Sequence, residues 1–249
     1  DAEVEYMDHT SNTIYVGFKV KETDKDFLKD TTIIIWTTTP WTIPANKALA
    51  FNSSIDYSIL EIGDLENFKE KKIVVATNLV KEIIKVCEIK SYKELRKFKG
   101  SEFQNTICSH PFLKMKFDYD VPMLDAQFVN LEQGTGIVHC APSHGPDDFN
   151  LCLKNNIPSL YTVDDSGLYT KEIPFFEKTH VFKADNIVIE KLKEQKKLLK
   201  NDKLNHTYPH SWRSKAPLIY RATPQWFISM QKNDLRKKAI KSINETNFF

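Results

Sequence analysis

Residues 31 to 39 read TTIIIWTTT, a run in which Trp36 alone is not β-branched. Branching at Cβ stiffens the side chain and suits the pleated backbone, so the run predicts a strand. It shows no polar alternation, and a strand without a polar face is covered on both sides. A chain of 249 residues with 41% hydrophobic side chains can bury a substantial core, as one large domain or one domain with appendages. Pro40 has no backbone donor, so regular pairing stops there. The hydroxyls of Thr37, Thr38 and Thr39 therefore sit where a buried strand runs into a loop, a common location for a site.

Net charge is only +2, too small to argue for nucleic acid except through local clustering. The four cysteines, Cys87, Cys108, Cys140 and Cys152, form no C-x-x-C pair and read as buried thiols in a reducing compartment. The acidic start DAEVEYMDHT is not a secretion signal, and no apolar run approaches the roughly 20 residues of a membrane helix. These features predict an intracellular protein, cytoplasmic or organellar, without a membrane partner.

Alternation over Thr13 to Val20 predicts a half-buried strand. Ser58 to Ile62 and Lys72 to Ala76 predict two more. Asn78 is placed to cap a helix carrying Leu79, Val80, Ile83, Ile84 and Cys87. Lys90 to Phe117 is charged and weakly periodic, and reads as peripheral loops with short strands. Gly134 and Gly136 predict a tight turn before the strand Ile137 to Cys140. A helix is expected to start near Asp147 or Asp148, with Phe149, Cys152 and Leu153 on one face. The segment NIVIEKLKEQKKLLKNDKL predicts an amphipathic helix with Val188, Leu192 and Leu199 inward and lysines outward. The aromatic stretch YPHSWRSKAPLIYRATPQWFISM should dock on something, and DLRKKAIKSI reads as a short basic helix.

Two clusters can carry chemistry. One is the threonine group. The other is His139, His144, Asp147 and Asp148, four polar residues within ten positions, beside glycines and prolines that fix the backbone. The spacing H-x4-H-x2-D-D fits no helical metal signature. Cys140 is a poor partner for His139 as base, since neighbours on a strand point to opposite faces. A third arrangement uses both clusters, with a carboxylate anchoring a substrate ammonium and threonines surrounding a reacting carbonyl.

WTTTPWTIPAN, followed about a hundred residues later by GTGIVHCAPSHGPDDF, resembles the editing domain of isoleucyl-tRNA synthetase. AEVEY looks like the lead-in to that insertion and YPHSWRSKAPLIYRATPQWF like the exit strands. The valyl and leucyl relatives typically carry Thr-Thr-Arg-Pro in the first motif, and valyl ones a lysine in place of His139; both differences favour the isoleucyl type. The resemblance implies an α+β fold, the β-barrel-like editing domain of class I aminoacyl-tRNA synthetases (isoleucyl, valyl, leucyl), with peripheral helices. It divides the chain into an editing domain over 1–205 and exit strands with a short helix over 206–249.

It also implies a function, hydrolysis of the aminoacyl ester of mischarged Val-tRNA(Ile), in a pocket that admits valine and excludes isoleucine. Asp148, Thr38, Thr39 and Thr42 are then the catalytic set, with Asp148 holding the ammonium. Thr37, Trp41, Asn46, His139, His144 and Asp147 are the substrate-binding set: His139 and Thr37 to Thr39 wall the side-chain pocket, and Asn46 contacts the terminal adenosine or pins its loop. Trp41 reads as core packing or an aromatic beside the adenine, Asp147 as a helix cap and His144 as ordering its loop. The expected partners are the tRNA(Ile) acceptor end carrying valine and the remainder of the synthetase, which supplies the ATP site; the chain is expected to be a monomer. No cofactor and no metal are expected, because Ser211 and Ser214 stand where some relatives carry a zinc knuckle, and serine is a poor zinc ligand. The alternatives are a noncatalytic module that binds the acceptor end, a freestanding deacylase, and a valyl-type editing domain.

Overall fold

The computed structural model describes residues 3–247; Ala2 of the lead-in, and Phe248 and Phe249, lie outside them. The elements in chain order are β1 (Val4–Glu22), β2 (Thr32–Thr37), β3 (Ala48–Phe51), β4 (Asp56–Ile62), β5 (Lys72–Ala76), α1 (Val80–Val86), β6 (Tyr92–Lys99), β7 (Ile107–Ser109), β8 (Asp120–Asp125), β9 (Val138–Cys140), α2 (Pro146–Lys154), α3 (Val181–Glu194), β10 (Leu198–Ser211) and α4 (Leu235–Glu245). The strands join in the order β6-β4-β5-β2-β1-β7-β8-β3-β9, with β10 paired to β1 off that path. The sheet is mixed: β2 runs parallel to β5 and β3 parallel to β8, while the other pairs are antiparallel. It is also open, since β6 and β9 end the path without pairing to each other, so the α+β expectation is borne out and its barrel-like description holds only loosely.

β1 explains the shape. Its first part pairs with β10 from Val4↔Ser211 to Val16↔Leu198, its middle pairs with β2 from Ile14↔Thr37 to Lys19↔Thr32, and its end meets β7. Residues 3–8 are exposed, whereas Ser11 and Thr13 to Phe18 are buried. β1 thus leaves the body as a two-stranded ribbon with β10, and β10 runs unbroken through position 205, where the sequence divides the chain.

Ile33, Ile34 and Ile35 are all fully buried, so β2 is covered on both faces as its composition requires. A smaller cluster of Ala48, Ala50, Ala126, Val129, Cys140, Leu151 and Cys152 packs beside the main core and seats α2. All four cysteines are free and buried. No helix of the described residues is long and apolar enough to cross a membrane.

Several local expectations need correction. Asn78 caps nothing: it lies inside a 3-10 turn, Thr77–Leu79, and α1 follows without a side-chain cap. The stretch 90–117 is not peripheral. β6 is an exposed edge strand, but Phe98, Phe103, Phe112 and Phe117 are buried, with ring contacts in the pairs Phe98–Phe103 and Phe112–Phe117, a signal carried by aromatics too widely spaced to give a period. On α2 the buried face is Leu151 and Cys152, while Phe149 and Leu153 are exposed. Leu199 belongs to β10, because Lys196 adopts φ 55° and turns the chain out of α3. With no glycine there to signal it, the stop is invisible in the sequence.

Candidate functional site

β2 delivers Thr37 to its end, and the chain then bends through Thr38 and Thr39 into a buried 3-10 turn, Pro40–Ala45. A buried turn must place its own polar backbone groups. Four distant side chains do this. Asp185 of α3 accepts the Trp41 N–H at 3.0 Å, and the Tyr169 hydroxyl donates to the Trp41 carbonyl. His110 Nε2 donates to the Ile43 carbonyl at 3.0 Å while its Nδ1 accepts from Phe112 N, and Tyr119 donates to the Asn46 carbonyl at 2.7 Å. The hydroxyl-bearing segment is therefore held from several sides.

Within it the hydroxyls form a chain. Thr37 Oγ1 and Thr39 Oγ1 are 3.2 Å apart, Thr39 Oγ1 and Thr42 Oγ1 3.2 Å, and Thr42 Oγ1 is 2.8 Å from His139 Nε2. Asn46 Nδ2 donates to the Ala48 carbonyl at 2.9 Å, which fixes which way the amide faces, and its other hydrogen goes to His139 Nδ1 at 3.0 Å. His139 Nδ1 is then an acceptor, so the proton sits on Nε2 and is donated to Thr42. Thr42 passes its own proton to the Thr39 carbonyl at 2.8 Å. Burial pushes the His139 pKa down to about 3, so the imidazole is neutral at physiological pH. Thr42 and His139 are committed to one another, and Thr39 keeps a hydroxyl free to reorient.

His139 reaches this place because β9 pairs with β3 in the register Leu49↔His139, with Asn46 just ahead of β3. Upstream, Gly134 and Gly136 adopt φ 82° and 72°, and a Cβ on Gly136 would lie 2.4 Å from that of Ala76. Downstream, Pro146 opens α2 with Asp147 and Asp148 in its first turn. Asp147 is exposed and makes no side-chain cap. Asp148 folds back, and its Oδ2 accepts the Ala141 N–H at 2.8 Å. No cation pairs with Asp148 among the described residues; desolvation, with a smaller contribution from the Asp147 charge, raises its pKa to about 6 against the opposing hydrogen bond. His144 Nδ1 donates to the Tyr220 carbonyl at 2.9 Å and its Nε2 accepts from Thr162 at 2.9 Å, so its ring ties three loops together. Trp41 is buried edge-on to that ring, 4.8 Å between centroids.

Two cavities flank the threonines. One, of about 280 Å³, lies between Thr37 and Thr38 and the loop Gly134 to Val138, with Trp36, Phe128 and Asn130 on its walls. The other, of about 310 Å³, lies between Thr38, Thr39 and Trp41, the start of α3 and the β1–β10 ribbon. Thr38 lines both. Neither is lined by His139 or Asp148, so the structure joins His139 to the threonines by hydrogen bonds and leaves Asp148 across the β9–α2 loop. Among the described residues no group of three His, Cys, Asp or Glu is placed to hold a metal. At the zinc-knuckle position Ser214 N donates to Ser211 Oγ at 3.4 Å and Lys215 N to the Ser211 carbonyl at 2.8 Å, so backbone and hydroxyl bonds shape this bend. The sequence pointed to none of Asp185, Tyr169, His110 and Tyr119, and its reading of 90–117 as peripheral set His110 away from the core; each acts on a backbone group, which leaves no motif.

The open mixed sheet is a fold shared with synthetase editing domains. The family model described as the leucyl-tRNA synthetase editing domain matches residues 10–202, and the chain belongs to that family. Its sequence is 67% identical to the isoleucine–tRNA ligase of Pelagibacter ubique over 249 residues, all of this chain and 28% of that relative. It is 42% identical to the isoleucine–tRNA ligase of Francisella tularensis subsp. tularensis over 256 residues, again with the whole chain covered and 26% of the relative. The chain thus spans about a quarter of the length of these relatives. In fold it is similar to the editing domains of the P. falciparum and P. knowlesi cytosolic leucyl-tRNA synthetases, at TM-score 0.55 for both. The respective identities are 12% and 11%; 78% and 81% of this chain, and 99% and 98% of those chains, are covered.

Proposed function

We infer that the chain hydrolyses the ester joining a mischarged valine to the acceptor end of tRNA(Ile), in a pocket that admits valine and turns away isoleucine. The supporting observation is the neutral His139 ring, held through both nitrogens at the end of a threonine hydroxyl chain, in a member of the editing family. Such a ring cannot rotate aside, and through Thr42 it fixes the threonine turn beside the cavities, so an added methyl group meets a rigid wall. Exclusion is needed because a pocket built for the larger side chain rejects one lacking a methylene by only about 1–3 kcal/mol, a general figure for which isoleucine enzymes are themselves the worked example.

In the reaction, water oxygen adds to the ester carbonyl carbon, the bond from that carbon to the ribose oxygen breaks, and a proton passes to the ribose oxygen. The ester is already activated, so the protein's task is positioning and charge stabilisation. Asp148 has one oxygen on Ala141 N and no cation, so a substrate ammonium would relieve a desolvated charge. Thr42 has spent its proton on the Thr39 carbonyl, which leaves Thr38 and Thr39 as the hydroxyls able to donate to the oxyanion or hold the water. The terminal adenosine fits the cavity beside the glycine loop, where Phe128 and Trp36 offer ring faces. Asn46 serves this arrangement by fixing the His139 tautomer; Trp41 and His144 serve it by packing the loop.

The test compares release of valine from Val-tRNA(Ile) with release of isoleucine from Ile-tRNA(Ile). The wild-type chain should release valine and spare isoleucine, Asp148→Ala should release neither, and His139→Ala should attack both. An unchanged preference in His139→Ala removes the size gauge. Binding without turnover in the wild type replaces hydrolysis by the acceptor-end binding module.

A further inference from the structure

The larger cavity beside the threonines shares Thr38 and Thr39 with the reaction above and continues past them along walls that the reaction does not use. Its walls combine a carboxylate with flat aromatic surfaces: Asp185, Tyr208, His9, Trp41 and Phe182. Asp185 Oδ1 accepts the Trp41 N–H at 3.0 Å. Among the described residues its Oδ2 has only the Asn12 amide at 3.5 Å, the outer limit of a hydrogen bond. A carboxylate offers about four acceptor positions, so this one is short of donors. His9 and Tyr208 lie 5.1 Å apart, tilted by 33°, and cover one face of each other, while Phe182 is 52% exposed and offers an open ring face in the same cavity. A volume of about 310 Å³ is at the small end of ligand pockets, suited to one nucleoside.

We propose that this cavity is a nucleobase subsite for the cytosine immediately 5′ of the terminal adenosine, stacked on the aromatic faces with its exocyclic amine donated to Asp185. The proposal rests on the reading above for the position of the acceptor end. Thr38 lines both cavities, so a strand whose last base occupies the glycine-loop side presents its preceding base on the Asp185 side. A carboxylate recognises cytosine by accepting from its amine, while uracil puts an oxygen in that place. Stacking supplies affinity without choosing the base, and Asp185 supplies the choice.

Calorimetric titration of the 249-residue chain with the dinucleoside monophosphates CpA and UpA at pH 7.5 tests it. CpA should bind about tenfold more tightly than UpA, the scale of one hydrogen bond to a charged group. In Asp185→Asn the amide oxygen still serves the Trp41 N–H, and an NH2 now faces the ligand, so the preference should reverse toward UpA. A residue that merely held the turn would leave that ratio untouched. Phe182→Ala should weaken both ligands alike and keep their ratio. Equal affinities in the wild type, an unchanged ratio in Asp185→Asn, no binding of either at millimolar concentration, or displacement of CpA by valinamide overturns the subsite. Failure of the hydrolysis reading shows separately, as no valine released while the CpA to UpA ratio stands.

Discussion

At the scale of single residues the site sets stability against function. Asp148 is half-buried without a cation, and its folded pKa of about 6 exceeds the unfolded value near 3.8. The folded state holds the proton more tightly, so stability falls as pH rises from about 4 to 6 and the penalty stays in force above that. Asp148→Asn keeps an oxygen for the Ala141 N–H and removes the charge. It should therefore be more stable than wild type at pH 7.5, by about 2 kcal/mol after allowance for partial exposure, with the difference vanishing near pH 4. Urea melts at both pH values check this. Deacylation by the same variant should be lost, and a variant both less stable at pH 7.5 and fully active would remove Asp148 from the site. In the wild type, kcat/KM for valine release should rise with pH through about 6 as Asp148 ionises.

At the scale of elements, the threonine turn is rigid because of side chains far away in sequence. Tyr169 is buried and its hydroxyl donates to the Trp41 carbonyl. Tyr169→Phe should leave that carbonyl unpaired at a loss of about 1–3 kcal/mol and lower valine release further than the stability loss alone accounts for. Thermal melting together with single-turnover rates checks it; an unaltered rate would mean that the turn holds its shape without this clamp. The same contrast shows what was legible in the sequence. β2 and β5 could be read because their β-branched runs state their own burial, and Pro146 with two aspartates announces the start of α2. The His139 cluster could be read because its residues are neighbours in sequence. The tilt of α2 onto Leu151, the turn at Lys196 and the buried 98–117 aromatics could not, because they depend on what packs against them. Asp185 and Tyr169 were hidden for the same reason, since a backbone partner leaves no pattern at either end.

At the scale of the whole molecule, three imidazoles, two buried and one half-buried, make the fold acid-sensitive. His110 and His139 are pushed down to about 3 and His144 to about 4, each chiefly by burial. Unfolded histidines take up protons near pH 6.5 and these folded ones do not, so their contribution is complete above 6.5 and drains away as pH falls toward 3. Asp148 and Asp185, both raised to about 6, oppose this between pH 6 and 4, so the urea midpoint should fall gently there and more steeply below 4. A midpoint that climbs below pH 4 would contradict the burial of these rings. The other whole-molecule feature is the segment beyond β10. Ala222 N donates to the Ser143 carbonyl, and the later backbone hydrogen bonds of the described residues stay within the segment itself. Trp226, Phe227 and Ile228 are 102%, 86% and 79% exposed, and α4 buries none of its residues. An 11-residue helix with no packing is marginal by itself, and adjoining exposed aromatics are a docking surface or an aggregation liability. Deleting residues 224–249 should therefore shift Tm by less than about 2 °C, since its described residues are exposed and their backbone hydrogen bonds are internal, and should lower self-association in a sedimentation experiment. A fall in Tm well beyond that would mean that the segment packs onto its own sheet.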